Sequence, residues 1–161
     1  MSSSKLDNET FRLCIFLIGK QRFAVDIMRV REIVRPSAIT PVPKSPFGME
    51  GLIDLRGEVL PLFDLRLRFD LKARASIKLP KARFLITRVG GRQLGLAVDH
   101  VLEVIDVKRD ALKVNANKKL GLNNPFFVGV CPHGDYLAIL LNLHRILSNE
   151  DKVAIDRLSV P

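Results

Sequence analysis

Apolar and polar positions along the chain follow a pattern of short strands separated by turns that contain glycine. The clearest stretch runs from Met49 to Phe69, where two apolar runs flank the polar turn Arg56-Gly57-Glu58. Such runs, apolar at nearly every position, predict a β-hairpin in a barrel whose walls are covered on both sides. Pro61 predicts a strand edge or a bulge at its position, and Asp64 predicts the cap of a helical turn over 65–69.

Two further hairpins are predicted, one in each half of the chain. The first joins 11–18 to 22–26 through Gly19-Lys20, and the second joins 84–89 to 92–98 through Gly90-Gly91. After the first hairpin, residues 27–34 are compatible with a helical turn that runs into an extended segment. Four of the nine prolines then fall within 36–46, which predicts an extended edge or a loop there.

The second half of the chain is a diverged copy of the first. A shift of 73 positions carries Ala24-Val25-Asp26 onto Ala97-Val98-Asp99. After it, Val30-Arg31-Glu32-Ile33 matches Val101-Leu102-Glu103-Val104, two residues earlier than the same shift predicts. A second shift carries Gly51 onto Gly129. Each copy has the size of a small barrel, and a barrel of about 60–70 residues is marginally stable alone. We therefore expect the two copies to share a core.

The remaining segments connect or close these units. Residues 1–10 are polar and expected to be disordered, and 107–125 predicts a loop that carries a helical turn. The tail begins with an Asn cap and acidic residues, as a closing helix would. The predicted divisions are a first barrel over 11–71, a basic connector over 72–82, a second barrel over 83–148 and the closing helix over 149–158.

The formal net charge is +9, from 26 Lys and Arg against 17 Asp and Glu. This excess keeps a small-barrel nucleic-acid-binding protein as a rival interpretation, since clustered cations bind phosphates. The charges are spread along the chain, however, and the aromatic residues that stack on bases are scarce, with no Trp and one Tyr. A solvated basic surface is favoured, and no nucleic-acid partner is expected.

No arrangement of residues predicts catalysis, a cofactor or a metal site. The three histidines show no ligand spacing, and Cys131-Pro132-His133 supplies at most two of the four ligands of a tetrahedral site. Phosphate-binding loops and nucleophile elbows are missing from the sequence. Cys14 and Cys131 fit small buried thiols of a reducing cytosol. No signal peptide precedes residue 10 and no apolar run approaches ~20 residues, so a cytoplasmic protein without membrane insertion is expected.

The run from Gly51 to Arg66, GLIDLRGEVLPLFDLR, resembles the signature of the CheW family of bacterial chemotaxis adaptors. The family pattern is Gly-apolar-apolar-Asn-Leu-Arg-Gly followed by Pro-apolar-apolar-Asp-Leu, and this chain has Asp54 where Asn is usual. The resemblance covers about residues 10–158. It implies an all-β fold of two five-stranded SH3-like barrels around a shared hydrophobic core, with short helical turns and a C-terminal helix.

The resemblance also implies a function. It points to a non-enzymatic adaptor that couples the cytoplasmic tip of methyl-accepting chemoreceptors to the regulatory domain of a CheA-type histidine kinase. Such a protein would be cytoplasmic and recruited to membrane-associated receptor arrays. An adaptor of a chemotaxis-like pathway that controls pili or another output is the alternative within the same class.

The residues implied by the resemblance lie on two segments. The receptor-binding set is Val30, Glu32, Ile33, Gly51 and Arg56, with an ion pair expected between Glu32 and Arg56, and the kinase-binding residue is Gly57. By residue type alone, Ile33 fits either the core or the surface. Gly51 equally indicates the close approach of another backbone or of a partner.

Overall fold

The computed structural model describes residues 9–45, 48–68, 79–114, 124–147, 152 and 156. The strands are β1 Thr10–Ile18, β2 Gln21–Asp26, β3 Val30–Val34, β4 Met49–Leu55, β5 Glu58–Asp64, β6 Arg83–Val89, β7 Arg92–Val98, β8 His100–Lys108, β9 Lys113–Val114, β10 Phe127–His133 and β11 Tyr136–Leu141. The helix α1 is Leu65–Arg68, and 3₁₀ turns cover Ile27–Arg29, Arg109–Ala111 and Leu143–Arg145. The predicted all-β class and the three predicted hairpins are confirmed.

The strands form two sheets, which are the two SH3-like barrels of the predicted fold. Sheet A has the order β8-β1-β2-β11-β10-β9, and sheet B has the order β3-β6-β7-β5-β4. Sheet A has a sixth strand because the two residues of β9 pair with Gly129 and Val130. The corresponding contact in sheet B is a single bridge between Thr40 and Leu52. The duplication therefore includes the short segment before the last hairpin of each copy, which pairs with the first strand of that hairpin.

The predicted division into barrels 11–71 and 83–148 is corrected by the strand pairing. β3 pairs with β6 from the second half, and β8 pairs with β1 from the first half. Parallel pairs, β11 with β2 and β5 with β7, also join the halves. Apolar patterns identify strands but not their partners, so the sequence alone favours a split at the connector. Each barrel is in fact built from both halves of the chain.

The two sheets enclose one common core and two smaller cores. The common core includes Phe16 and Phe23 from sheet A and Phe63, Leu85 and Leu96 from sheet B, all at most 1% exposed. A second apolar cluster lies in sheet A around Leu13 and Ile15, and a third lies in sheet B around Phe84 and Ile86. The expected shared core is confirmed.

The offset between the copies has a local structural cause. After β2, the side chain of Asp26 accepts a hydrogen bond from the backbone N of Met28 at 2.9 Å and begins the 3₁₀ turn Ile27–Arg29. After β7, only Asp99 separates the strand from β8. The extra turn accounts for the two residues by which the first copy exceeds the second.

Local predictions around β5 hold. Pro61 pairs with Leu52, and the pairing of β5 with β7 begins one residue later, at Leu62, so Pro61 sits where only one ladder has formed. Asp64 Oδ1 accepts a hydrogen bond from the backbone N of Arg66 at 2.9 Å, which is the expected cap. Cys14 is a buried free thiol whose burial raises its pKa to about 11.

Parts of the terminal and connector predictions lie outside the described residues. These are 1–8 of the N-terminus, 72–78 of the connector and most of 149–158. In the tail, Lys152 and Asp156 have helical backbone. Asp156 accepts hydrogen bonds from Arg92 Nε at 2.9 Å and Arg92 Nη2 at 2.8 Å, so this residue is fixed to the start of β7.

Candidate protein-docking surface

The tip of the β4–β5 hairpin is a two-residue turn with both residues in the left-handed region. Arg56 has φ of 53° and Gly57 has φ of 88°, as a type I′ turn requires. Asp54 Oδ1 accepts a hydrogen bond from the backbone N of Gly57 at 2.7 Å. A non-glycine residue in this region is uncommon, and the turn therefore fixes an arginine side chain at an exposed tip.

Arg56 forms a bidentate ion pair with Glu32 of β3. Arg56 Nη1 lies 3.0 Å from Glu32 Oε1, and Arg56 Nη2 lies 2.6 Å from Glu32 Oε2. The hydrogen bond from Arg56 lowers the pKa of Glu32, and the same bond raises the pKa of Arg56. The expected ion pair is confirmed. It joins the two edges of sheet B, since β3 and β4 are its outermost strands.

A second polar contact beside this pair was not predicted from the sequence. Arg31 Nη1 lies 3.3 Å from Glu58 Oε2 and hydrogen-bonds the side chain of Gln93, whose Nε2 donates to Glu58 Oε1 at 2.5 Å. The three residues come from β3, β5 and β7, which are far apart in sequence. Only the exchange of strands between the halves brings them together, so no local pattern could have revealed them.

The apolar members of the predicted site occupy different environments. Ile33 is 40% exposed on the edge strand β3. Val30 is partly buried against the common core. The alternatives for Ile33 are therefore resolved in favour of the surface, and Val30 contributes chiefly to packing below it.

Gly51 is separate from the Glu32–Arg56 pair. It is buried in β4, five residues before the tip, or about 17 Å along an extended strand. Its φ is +151°, and a Cβ there would lie 2.3 Å from the carbonyl oxygen of Thr40. Leu52 and Thr40 exchange two backbone hydrogen bonds of 2.8 Å at this point. The close approach predicted for Gly51 is thus made by the chain's own backbone.

The second copy closes sheet A with a similar contact. Glu103, the counterpart of Glu32, has Oε1 at 2.5 Å from Nε2 of His133, which lies at the tip of the β10–β11 hairpin. Arg22 Nη1 lies 3.0 Å from His133 Nδ1, and the Arg22 guanidinium stacks 3.9 Å from the ring centroid of Tyr136. In each copy, the glutamate of the Val-x-Glu motif therefore reaches the tip of the neighbouring hairpin.

A buried ion pair joins the two sheets. Arg66, at the end of the signature run, pairs with Asp99 through Arg66 Nη2, and each residue is 8% exposed. Asp99 Oδ2 also accepts a hydrogen bond from the backbone N of Gly19 at 2.7 Å. The pair links α1 after sheet B to the first turn of sheet A. Arg66 and the first turn of sheet A therefore meet at Asp99, the residue that connects β7 of sheet B to β8 of sheet A.

The comparisons with known proteins identify the family. The family model of the CheW-like domain matches residues 12–151. This chain belongs to the CheW-like family. It is 34% identical to the chemotaxis protein CheW of Helicobacter pylori over 92% of this chain and 88% of the relative. It is 29% identical to the chemotaxis protein CheW of Treponema pallidum over 91% of this chain and 87% of the relative.

A solved CheW-like structure supports the same conclusion. The scaffolding protein TtCheW from Thermoanaerobacter tengcongensis superposes with a TM-score of 0.78 at 28% identity, over 89% of this chain and 91% of that one. The CheW-like chain is therefore a coupling adaptor of chemotaxis signalling. Within the described residues, no group of three or more His, Cys, Asp or Glu side chains could hold a metal ion.

Proposed function

We propose that this CheW-like protein couples the cytoplasmic tip of chemoreceptors to the regulatory domain of a CheA-type kinase, without catalysis of its own. The observation that carries the proposal is the Glu32–Arg56 pair, which presents a two-point contact on an exposed surface. Arg56 is two-thirds exposed, and surface pairs of this kind contribute little to folding. A turn that holds an arginine in the left-handed region and supports such a pair is best explained by binding.

The proposed receptor surface combines this pair with the edge of β3. Ile33 supplies an exposed apolar contact, Glu32 and Arg56 supply the polar contacts, and Val30 supports the strand from below. Gly51 belongs to this surface indirectly, because its missing side chain allows residues 39–40 to pack on β4. A receptor helix with an apolar stripe and polar neighbours would match this surface.

The proposed kinase contact lies at the hairpin tip. Gly57 is exposed, and a Cβ there would meet no atom within 4 Å. Beside it, Val59 is 61% exposed and adds an apolar side chain to the tip. If the kinase regulatory domain has the same double-barrel fold, as the resemblance implies, the two proteins can pair through the ends of their barrels.

Recruitment to receptor arrays would then depend on these partners. Among the residues that the structure describes, no helix has the length and apolar character needed to cross a bilayer. We infer that the protein works in the cytoplasm and joins the membrane-associated array through the receptor tip and the kinase.

The test is reconstitution of the kinase with receptor in membranes, with and without this protein. Addition of the protein should change kinase autophosphorylation, and Arg56→Glu should remove that change while the melting temperature stays close to that of the unmodified protein. Kinase control that is identical with and without the protein would contradict the proposal.

A further inference from the structure

Two arginines lie just beyond the end of the β3–β6 ladder. The last pair of that ladder is Val34 with Phe84, and the residues next to them, Arg35 and Arg83, line the same cleft. Arg35 precedes Pro36, which keeps its backbone extended in the direction of β3. Like charges held close together on a sheet repel each other. Two guanidinium groups in one cleft therefore favour an anionic partner.

The equivalent end of sheet A has balanced charges. There Val107 pairs with Phe11, and the flanking positions form ion pairs: Arg12 Nε lies 2.9 Å from Asp106 Oδ1, and Arg109 Nη1 lies 3.7 Å from Glu9 Oε2. Arg35 and Arg83 form no ion pair among the described residues. The two copies therefore differ in whether their cations are neutralised within the chain.

The arginines line an open cleft of about 380 Å³, together with Pro36, Leu79, Pro80 and Ala82. None of the described residues that line the cleft is acidic. The flanking sequence explains this, because no Asp or Glu occurs between Glu32 and Glu50 or between Asp70 and Asp99. Arg83 is held in place by hydrogen bonds from Nη1 to the carbonyl oxygens of Ala82 at 2.6 Å and Pro80 at 3.4 Å.

The cleft begins two residues after Ile33 of the proposed receptor surface, at Arg35. Alternate residues of an extended chain lie on one face, so Arg35 continues the face of Ile33 beyond the end of β3, and Arg83 lines the cleft beside it. An exposed apolar side chain is thus followed by two arginines that form no ion pair with any residue that the structure describes. A helix that places an apolar residue on Ile33 would reach the arginines about one turn further along.

We propose that Arg35 and Arg83 bind a carboxylate of the docked receptor helix, so that this protein selects a helix with Asp or Glu beside its apolar stripe. The inference rests on the proposed receptor docking and specifies its charge chemistry. The planar guanidinium groups suit a carboxylate through paired N–H donors. Ile33 would provide burial, and the arginines would set the register and the choice of receptor.

The experiment measures binding of the full chain to a soluble cytoplasmic fragment of a chemoreceptor, in parallel with binding to the kinase regulatory domain. Arg35→Glu should weaken receptor binding about tenfold or more, since a repelled carboxylate loses its partner. The difference from the unmodified protein should shrink at an ionic strength of about 0.5 M. Kinase binding and the melting temperature should not change. Arg83→Gln should weaken receptor binding in the same direction by less.

The matched control is Lys108→Glu, which makes the same charge change at the end of the β1–β8 ladder of sheet A, opposite Thr10. It should leave receptor binding unchanged. An equal loss for Arg35→Glu and Lys108→Glu would show a general charge effect and overturn the proposal, as would unchanged binding in Arg35→Glu. Occupation of the cleft by inorganic phosphate, with no effect of Arg35→Glu on the receptor, would overturn it in favour of a small-anion site. Failure of the unmodified protein to bind the fragment would instead overturn the proposed function itself.

Discussion

The carbonyl oxygen of Thr40 lies 2.3 Å from the position that a Cβ of Gly51 would occupy. Any side chain at 51 must therefore displace the segment that bridges β4. We expect Gly51→Ala to destabilise the protein by about 2–4 kcal/mol, through overpacking together with an unfavourable φ. Thermal unfolding of the variant measures this directly.

Gly129 provides the matched comparison. A Cβ there would lie 2.9 Å from the carbonyl oxygen of Lys113, but this residue has no unusual φ. Gly129→Ala should therefore cost less, about 1–3 kcal/mol. A Gly51→Ala variant as stable as the unmodified protein would contradict this account. Loss of receptor binding in Gly51→Asp would indicate a direct receptor contact at Gly51 only if the variant kept the stability of the unmodified protein.

Glu32 and Arg56 should act in binding more than in folding. Glu32→Arg or Arg56→Glu should abolish receptor coupling, because each substitution places two charges of the same sign at the contact between β3 and the β4–β5 turn. The double exchange should restore part of the coupling. Kinase assays with receptor, together with melting curves, distinguish the outcomes: single variants that are simply unfolded would make the pair structural.

The acidic pH range should reveal the surface ion pairs. Hydrogen bonds from arginine lower the pKa of Glu32, Asp106 and Asp156 in the folded protein. A lowered folded-state pKa gives stability that is present above the unfolded pKa and is lost as pH falls through the folded pKa. Melting temperature should therefore be steady from neutral pH down to about 5 and decline below about 4. In the triple variant Glu32→Gln/Asp106→Asn/Asp156→Asn, the decline should be shallower.

The buried Arg66–Asp99 pair should behave differently from these surface pairs. Asp99→Ala would leave a buried guanidinium without its carboxylate, at a cost of about 3–5 kcal/mol. The double variant Arg66→Met/Asp99→Ala should be more stable than Asp99→Ala alone. Chemical denaturation of the unmodified protein, the single variants Arg66→Met and Asp99→Ala and the double variant tests the coupling, and strict additivity of the two single effects would show that the residues do not interact.

Much of this fold was predictable from the sequence because strand patterns are local. Periodic apolar runs and glycine turns located the hairpins, and the repeated Val-x-Glu and glycine positions revealed the duplication. Strand partners were not predictable, because the pairing of β3 with β6 leaves no mark on either segment alone. For the same reason the Arg31–Glu58–Gln93 contact was missed. The Glu32–Arg56 pair was accessible only through resemblance to a family.

The exchange of strands between the halves has a consequence for biosynthesis. When residues 10–68 leave the ribosome, β1 and β3 each lack the strand that will pair with one edge, since β8 and β6 are still to be translated. The nascent first half is therefore an open set of hairpins with exposed edges, a form prone to association with other chains. Native pairing of β1, β2 and β3 must therefore wait until β8, β11 and β6 have been synthesised. A protein cleaved in the connector should accordingly fold only when both fragments are mixed.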